Sequence, residues 1–212
     1  MPDPTTNRLL RFRRKRKLLT TLREANHLED VLPELPAPEE SVRMISFCAF
    51  SAVGFIRYIA DRTTIRWMGV VTFRVGRRVM QLLRDLHRDG RLQDADFVLG
   101  RLAGSRHGGE RKLYDQLVAL CAECGWHCCH ASNHAKVILF DTPQGRYVLE
   151  TSCNLNDAPN WEQFCLEQDP ALYDFYFDLF FSGGVGEPLP EPEGTADEEE
   201  TLCQGGDSPQ IW

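Results

Sequence analysis

Apolar positions along this chain switch between two spacings, which predict strands and helices in turn. Segments of strand length that are rich in apolar and β-branched residues lie at residues 42–50, 64–75, 95–100, 126–131, 135–140 and 146–152. Apolar side chains three and four positions apart, the spacing of amphipathic helices, lie at residues 53–59, 77–88, 113–124 and 170–181. Strands and helices therefore alternate over most of the chain.

Capping and turn residues mark the ends of these elements. Ser51 can cap the first helix, and Gly90 and Gly125 follow the second and third. Asp169 precedes Pro170, the combination of an N-cap and a proline at the first helical position. The boundaries of the helices are thus predicted independently of their apolar spacing.

The alternation predicts one α/β domain, a mixed β-sheet flanked by helices, at residues 41–182. A turn at residues 142–145 joins two of the predicted strands into a hairpin, which argues against a purely parallel sheet. No internal repeat is visible, so the chain carries one copy of this domain.

The two ends differ from this domain in composition. Residues 1–40 are predicted to be a basic arm and a proline-containing linker, with a helix-compatible run from 8 to 23. Residues 183–212 hold eight of the 31 acidic residues and no Lys or Arg, which predicts a disordered acidic tail. The formal net charge of −7 therefore belongs to this tail, and the rest is nearly neutral.

The overall composition is that of an ordinary globular protein, with 42% hydrophobic and 26% charged residues. The sequence contains no apolar stretch long enough to cross a membrane and begins without a signal-peptide pattern. The eight cysteines are then expected to be reduced thiols, and a cytoplasmic location is expected.

A set of polar residues around the last two strands of the hairpin region carries the candidate chemistry. His134 and Lys136 are two positions apart and are predicted to share one strand face. The other members of the set follow in order, namely Asp141, Ser152, Asn154, Asn160 and Glu162. An imidazole can attack phosphorus, while an ammonium, a hydroxyl and an amide can hold phosphate oxygens. The set predicts a phosphate-handling site.

This order, His-x-Lys-x4-Asp followed by Ser-x-Asn and Asn-x-Glu, resembles the signature of the phospholipase D superfamily over about residues 131–165. The resemblance implies a phospholipase D-like fold and a metal-independent phosphodiesterase that needs no cofactor. By the same resemblance His134 is the nucleophile, and Glu162 orients its ring. Lys136, Ser152 and Asn154 bind the substrate phosphate, whereas Asp141 and Asn160 have supporting roles.

One active site in this superfamily is built from two histidine motifs, and this chain has one. The resemblance therefore implies a homodimer in which the second His134 acts as the general acid. Since single-motif members include nucleases, a nuclease-like activity is the first hypothesis. A catalytically silent scaffold that binds nucleic acid or a protein partner is the alternative, and a lipid phosphodiesterase is the second alternative.

Two further features keep alternatives open. The cysteines and histidines of residues 121–130 are ligands that zinc prefers, although buried cysteines in such positions are commonly small core residues. The run of cations from Arg8 to Lys17 is dense enough to bind nucleic acid phosphates, with the basic loop at 101–112 as a second contact. A solvated arm, an arm paired with the acidic tail and an anionic membrane surface are the other interpretations.

Overall fold

A computed structural model describes residues 6–13, 22–23, 28–47, 51–100, 108–156 and 161–183 of the chain. The strands in these ranges are β1 (Thr6–Arg13), β2 (Leu22–Arg23), β3 (Glu40–Phe47), β4 (Ile65–Thr72), β5 (Leu92–Gly100), β6 (His127–Ala131), β7 (Val137–Thr142), β8 (Gly145–Thr151) and β9 (Trp161–Glu167). The helices are α1 (Leu28–Val31), α2 (Ala52–Ala60), α3 (Arg77–Arg88), α4 (Gly108–Cys124) and α5 (Pro170–Phe180). The helices expected from apolar spacing are confirmed, as is each of the six expected strands.

All the strands join one sheet in the order β2-β1-β3-β9-β8-β7-β4-β5-β6. β4, β5 and β6 run parallel because α3 and α4 cross over between them, and the other neighbouring pairs are antiparallel. β7 and β8 form the predicted hairpin, whose turn residue Gly145 has a φ of +151°. The predicted α/β class with a mixed sheet is confirmed.

Helices cover the two faces of the sheet unequally. The first four helices pack on one face, where Leu32, Phe55, Leu83 and Leu117 belong to one buried cluster. α5 packs on the opposite face against a second, smaller cluster that contains Tyr173. The Asp169 side chain caps α5 by accepting bonds from the backbone N–H groups of its first turn at 2.9 and 3.1 Å, as the sequence predicts.

The helix-compatible interpretation of residues 8–23 is wrong where the structure describes them. Thr6–Arg13 forms β1, which pairs with β3 from Arg8↔Ile45 to Arg13↔Glu40. The outer edge of β3 has backbone donors and acceptors that need partners, and β1 supplies them. Because this pairing is set by a distant strand, the local basic composition does not reveal it.

β9 (Trp161–Glu167) was not among the strands expected from the sequence. The strand lies between β3 and β8 near the middle of the sheet, with three consecutive buried residues at 164–166. Strands that are covered on both faces lose the alternation of apolar and polar positions, so periodicity does not identify them.

The structure describes only part of the two chain ends and of the basic loop. In the described part of the chain no helix is long and apolar enough to cross a membrane. The basic residues at 14–17, most of the loop at 101–112 and the acidic residues beyond 183 lie outside the described residues. The division into arm, domain and tail stays a prediction.

Candidate active site

One edge of the sheet collects the ends of six strands. The parallel strands β4, β5 and β6 end at this edge, β7 and β9 begin there, and β8 ends there. In open α/β sheets the crevice beyond the carboxyl ends of parallel strands is the usual place for a ligand. The residues predicted to handle phosphate must be located relative to this edge.

His134 and Lys136 lie at this edge, in the extended segment that leads into β7. The prediction that they share a strand face is wrong, because β7 begins at Val137 and both residues precede it. The side chains nevertheless meet, since the Lys136 Nζ lies 3.1 Å from His134 Nδ1 and donates to the His134 carbonyl oxygen at 2.8 Å. An ammonium has donors only, so Nδ1 accepts this bond and the neutral ring carries its proton on Nε2.

The position of the imidazole depends on Phe73 and Gly100. The rings of Phe73 and His134 pack with their centroids 5.2 Å apart. A Cβ on Gly100 would lie 2.2 Å from the Phe73 ring and 2.9 Å from the Asn133 carbonyl oxygen, so this approach requires a glycine. Sequence reasoning missed both residues. A glycine at the end of a predicted strand, before a basic loop, was the one available signal.

Ser152 and Glu162 form the second part of the site. The Ser152 hydroxyl donates a short hydrogen bond to the Glu162 carboxylate and accepts one from the Gln163 backbone N–H at 3.0 Å. The Ser152 N–H in turn donates to the Gln163 carbonyl oxygen at 3.1 Å. These bonds fix both side chains where β8 ends and β9 begins. The predicted role of Glu162 as the residue that orients His134 stays a prediction.

Asn154 connects the two parts of the site. Its Oδ1 accepts a hydrogen bond from the Phe73 backbone N–H at 3.2 Å. Because this bond uses the carbonyl oxygen, the Nδ2 group carries the donors that a phosphate oxygen needs. Thr151 donates its backbone N–H to the Lys136 carbonyl oxygen at 3.1 Å, so both parts are tied to the same edge.

Asp141, which was predicted to have a supporting role, is not brought to this edge. Asp141 lies near the other end of β7, about 13 Å along the strand from Val137 at ~3.3 Å per residue. There Arg66 donates to its carboxylate. Asn160 lies outside the described residues.

Cys153 lies between two predicted phosphate-binding residues but points into the core. Its side chain is buried and belongs to the cluster beneath the first four helices. Burial raises the pKa of the thiol, which disfavours the nucleophilic thiolate. Cys153 is therefore a core residue.

The cysteine and histidine segment at residues 121–130 does not form a ligand cluster among the described residues. Its side chains do not bring three ligand atoms within 4.8 Å of one another. Cys121 on α4 is buried, and its hydrogen bond to Cys128 on β6, together with burial, raises the pKa of the Cys128 thiol. Two thiols that bond to each other favour the interpretation as core residues.

Three other side chains do bring ligand atoms within 4.8 Å, namely Glu150, Cys165 and Glu167. Burial raises the pKa of Cys165 to about 11, which keeps the thiol protonated at neutral pH, and burial also raises the pKa of Glu167. Tyr176 on α5 donates to Glu150, and Ser41 shares a hydrogen bond of 3.2 Å with the Cys165 sulfur. These groups could hold a metal ion, but in the structure they satisfy one another.

Comparison with known proteins identifies the fold. Polyphosphate kinase from Porphyromonas gingivalis is similar, with a TM-score of 0.52 and 15% identity over 79% of this chain and 30% of that protein. Phosphatidylserine synthase from Haemophilus influenzae Rd KW20 has a TM-score of 0.53 and 15% identity over 85% of this chain and 45% of that protein. NucT from Helicobacter pylori has a TM-score of 0.49 and 11% identity over 69% of this chain and 99% of that protein.

The chain thus spans less than half the length of the first two proteins. No family model matches the sequence, and no curated protein matches it. At these identities the similarity concerns the fold, and it confirms the predicted phospholipase D-like mixed sheet flanked by helices.

Proposed function

We propose that this protein is a metal-independent phosphodiesterase, nuclease-like in its substrate, that works through a phosphohistidine intermediate. The observation that carries the proposal is the convergence of His134, Lys136, Ser152, Asn154 and Glu162 on one edge of a phospholipase D-like sheet. An imidazole, an ammonium, a hydroxyl and an amide at one edge of the sheet supply a nucleophile and three groups that bind phosphate oxygens.

The hydrogen bonds of the site support a rearrangement when a phosphate binds. In the structure Lys136 donates to His134, and Ser152 donates to Glu162. Phosphate oxygens are strong acceptors for an ammonium and a hydroxyl, so a phosphodiester would draw both donors toward itself. The ring proton can then exchange through solvent from Nε2 to Nδ1, and the Nδ1–H group donates a hydrogen bond to the released Glu162 carboxylate. This tautomer leaves the lone pair on Nε2, from which the ring attacks.

The reaction then needs two transfers at phosphorus. The His134 Nε2 forms a bond to phosphorus as the bond to the leaving oxygen breaks, and an acid protonates that oxygen. A water molecule, deprotonated by the conjugate base of that acid, attacks phosphorus and breaks the P–N bond. In a homodimer the His134 of a second copy supplies the acid and then the base.

A second candidate is a scaffold that binds nucleic acid or a partner without turnover. The observation in its favour is that the Lys136 ammonium donates a hydrogen bond to the His134 Nδ1, while the Glu162 carboxylate accepts one from Ser152. If substrate does not displace these bonds, the ring keeps its proton on Nε2 and cannot attack through that nitrogen.

The proposal is tested by the cleavage of bis(p-nitrophenyl) phosphate and of single-stranded DNA in the presence of EDTA. We expect turnover by the wild-type protein and a loss of at least about 10³-fold in His134→Ala, the scale seen when a catalytic nucleophile is removed. His127→Ala is the matched control, because His127 is 87% exposed on β6 and pairs with Asp96 instead.

The outcomes separate the candidates. Turnover that His134→Ala retains would contradict the phosphohistidine mechanism. DNA binding without cleavage of either substrate would favour the scaffold, and cleavage confined to phospholipid vesicles would favour a lipid phosphodiesterase.

A further inference from the structure

Two cavities on the face of the first four helices open beside the candidate site. The smaller one, about 180 Å³, is lined by Phe73 and Gly100, the residues that position His134. The larger one has a volume of about 670 Å³ and extends to the beginnings of α2 and α3. Gly76, Leu113 and Asn156 line both cavities, so the two are adjacent and together form one groove, whose near end is lined by the Phe73 ring that packs on His134.

Arginines give this groove a positive charge. Arg57, Arg77 and Arg78 line the larger cavity, and Arg74 lines the smaller one; Arg57 also pairs with Asp61 at 2.8 Å, so Arg77 and Arg78 are the cations on which the test concentrates. No Asp or Glu is among the described residues that line either cavity. A groove with cations on its walls and no lining anion attracts an extended polyanion.

The groove also offers apolar and aromatic surface. The rings of Phe73 and Tyr114 line the end near His134, and Tyr114 is held by stacking on His130 with centroids 3.9 Å apart. Half-buried Leu82 and Leu113 line the larger cavity between the arginines. Aromatic platforms beside cations are the combination that binds single-stranded nucleic acids, since bases stack on rings while phosphates meet the cations.

We propose that this groove holds a single-stranded nucleic acid, with a base against Tyr114 and Phe73 and the neighbouring phosphates on Arg77, Arg78 and Arg57. The proposal rests on the proposed function in placing the reacting phosphate at His134, and it names the substrate of that site. A strand that runs along the groove carries phosphates on both sides of the reacting one, so binding energy is available away from the reaction centre.

The test measures the binding of a fluorescein-labelled oligothymidylate of 12 nucleotides by fluorescence anisotropy, with the full chain carrying His134→Ala to prevent cleavage. We expect the double variant Arg77→Gln/Arg78→Gln to bind at least about ten-fold more weakly. Its slope of log Kd against log salt should fall by about 1.4, since each lost contact to a single strand removes about 0.7.

The matched control is Arg84→Gln/Arg88→Gln, which removes the same charge from the other end of α3. These two side chains pair with Glu123 and Asp85 rather than lining the groove. We expect this control to retain the affinity within about two-fold and to keep the salt slope. Equal losses in the two double variants would overturn the groove, because they would show a nonspecific charge effect.

The contribution of bases is tested by Tyr114→Ala and by a ligand without bases. We expect Tyr114→Ala to weaken binding by about five-fold or more, the lower end of what a stacked base contributes. An abasic oligonucleotide or inorganic polyphosphate that binds as tightly as oligothymidylate would overturn the assignment to nucleic acid.

Failure of the groove and failure of the proposed function are distinguishable. Hydrolysis of bis(p-nitrophenyl) phosphate by the wild-type protein reports on the reaction centre without an extended strand. Unchanged oligonucleotide affinity in Arg77→Gln/Arg78→Gln would overturn the groove alone, whatever that hydrolysis shows. Normal groove binding in a protein without any turnover would overturn the phosphodiesterase alone.

Discussion

At the scale of residues, donors that could bind a substrate phosphate instead form hydrogen bonds to other side chains of the site. Lys136 donates to His134, and Ser152 donates to Glu162, although each donor is one that a phosphate would attract. These contacts were not predicted from the sequence, because they depend on how the segment before β7 approaches the end of β8. The residue types, in contrast, were all visible in the sequence.

Gly100 is the residue whose substitution should most directly disturb the imidazole. In Gly100→Ala the new Cβ would overlap the Phe73 ring and the Asn133 backbone, so the wall against which His134 packs must move. We expect kcat/KM on bis(p-nitrophenyl) phosphate to fall about 10- to 100-fold, since a displacement of about 1 Å at a reacting group can cost on the order of 10²-fold.

Gly69→Ala is the control for a simple loss of stability. A Cβ there would lie 2.4 Å from the Trp67 ring and 2.7 Å from the Phe181 ring, so the clash is similar but lies beneath α5. Both variants should lose roughly 1–3 kcal/mol of unfolding free energy in urea. Equal kcat/KM values for the two folded variants would contradict a positioning role for Phe73.

At the scale of elements, the packing of α5 depends on a few local devices. Asp169 caps its first turn, and Phe177 and Phe181 pack edge-on against Trp67 with centroids 5.3 and 5.1 Å apart. Gly69 in β4 leaves the space that these rings occupy. The cap was predictable from two adjacent residues, whereas the aromatic contacts required the positions of β4 and α5 in the fold.

Removal of the cap should destabilise the protein measurably. Asp169→Ala leaves two backbone N–H groups of α5 without their acceptor, so we expect a loss of about 1 kcal/mol in the free energy of unfolding. Urea denaturation followed by circular dichroism measures this change. Asp178→Ala, at an exposed position of the same helix, should change stability by less than about 0.5 kcal/mol. A cap variant as stable as this control would contradict the assigned role of Asp169.

At the scale of the whole molecule, one chain supplies one histidine motif. The proposed mechanism needs a nucleophile and an acid, and in the proposed homodimer the second histidine comes from another copy. Activity then becomes a property of the assembly. A chain that lacks the histidine should therefore abolish the activity of the wild-type chain with which it pairs.

Mixing wild-type and His134→Ala chains tests this requirement. If both histidines serve one site, only pairs of two wild-type chains are active. Random pairing in an equal mixture places about half of the wild-type chains in such pairs, so the mixture should show about half of the activity that the same amount of wild-type protein has alone. The mixture must be incubated long enough for subunits to exchange, and equilibrium sedimentation reports the assembly. Full activity in an exchanged mixture would mean that each chain acts alone.

The boundaries of most helices, the hairpin and the α/β class followed from the sequence alone, because they depend on residues close together along the chain. Asp169 and Pro170 begin a helix wherever they occur, and apolar spacing identifies a helix without knowledge of its neighbours. The chemical identity of the site was also visible, since the order of His134, Lys136, Ser152 and Glu162 is a property of the sequence itself.

Only the tertiary structure decided what lies beside these residues. Thr6–Arg13 forms a strand because it pairs with β3, and Trp161–Glu167 forms a strand because it lies between β3 and β8. These pairings join segments that are separated along the sequence. The contact of Phe73 with His134 and the groove that leads to Arg77 likewise join segments that are far apart in sequence. Local sequence specifies the conformation and chemistry of each segment, whereas contacts between distant segments depend on the packing of the whole sheet.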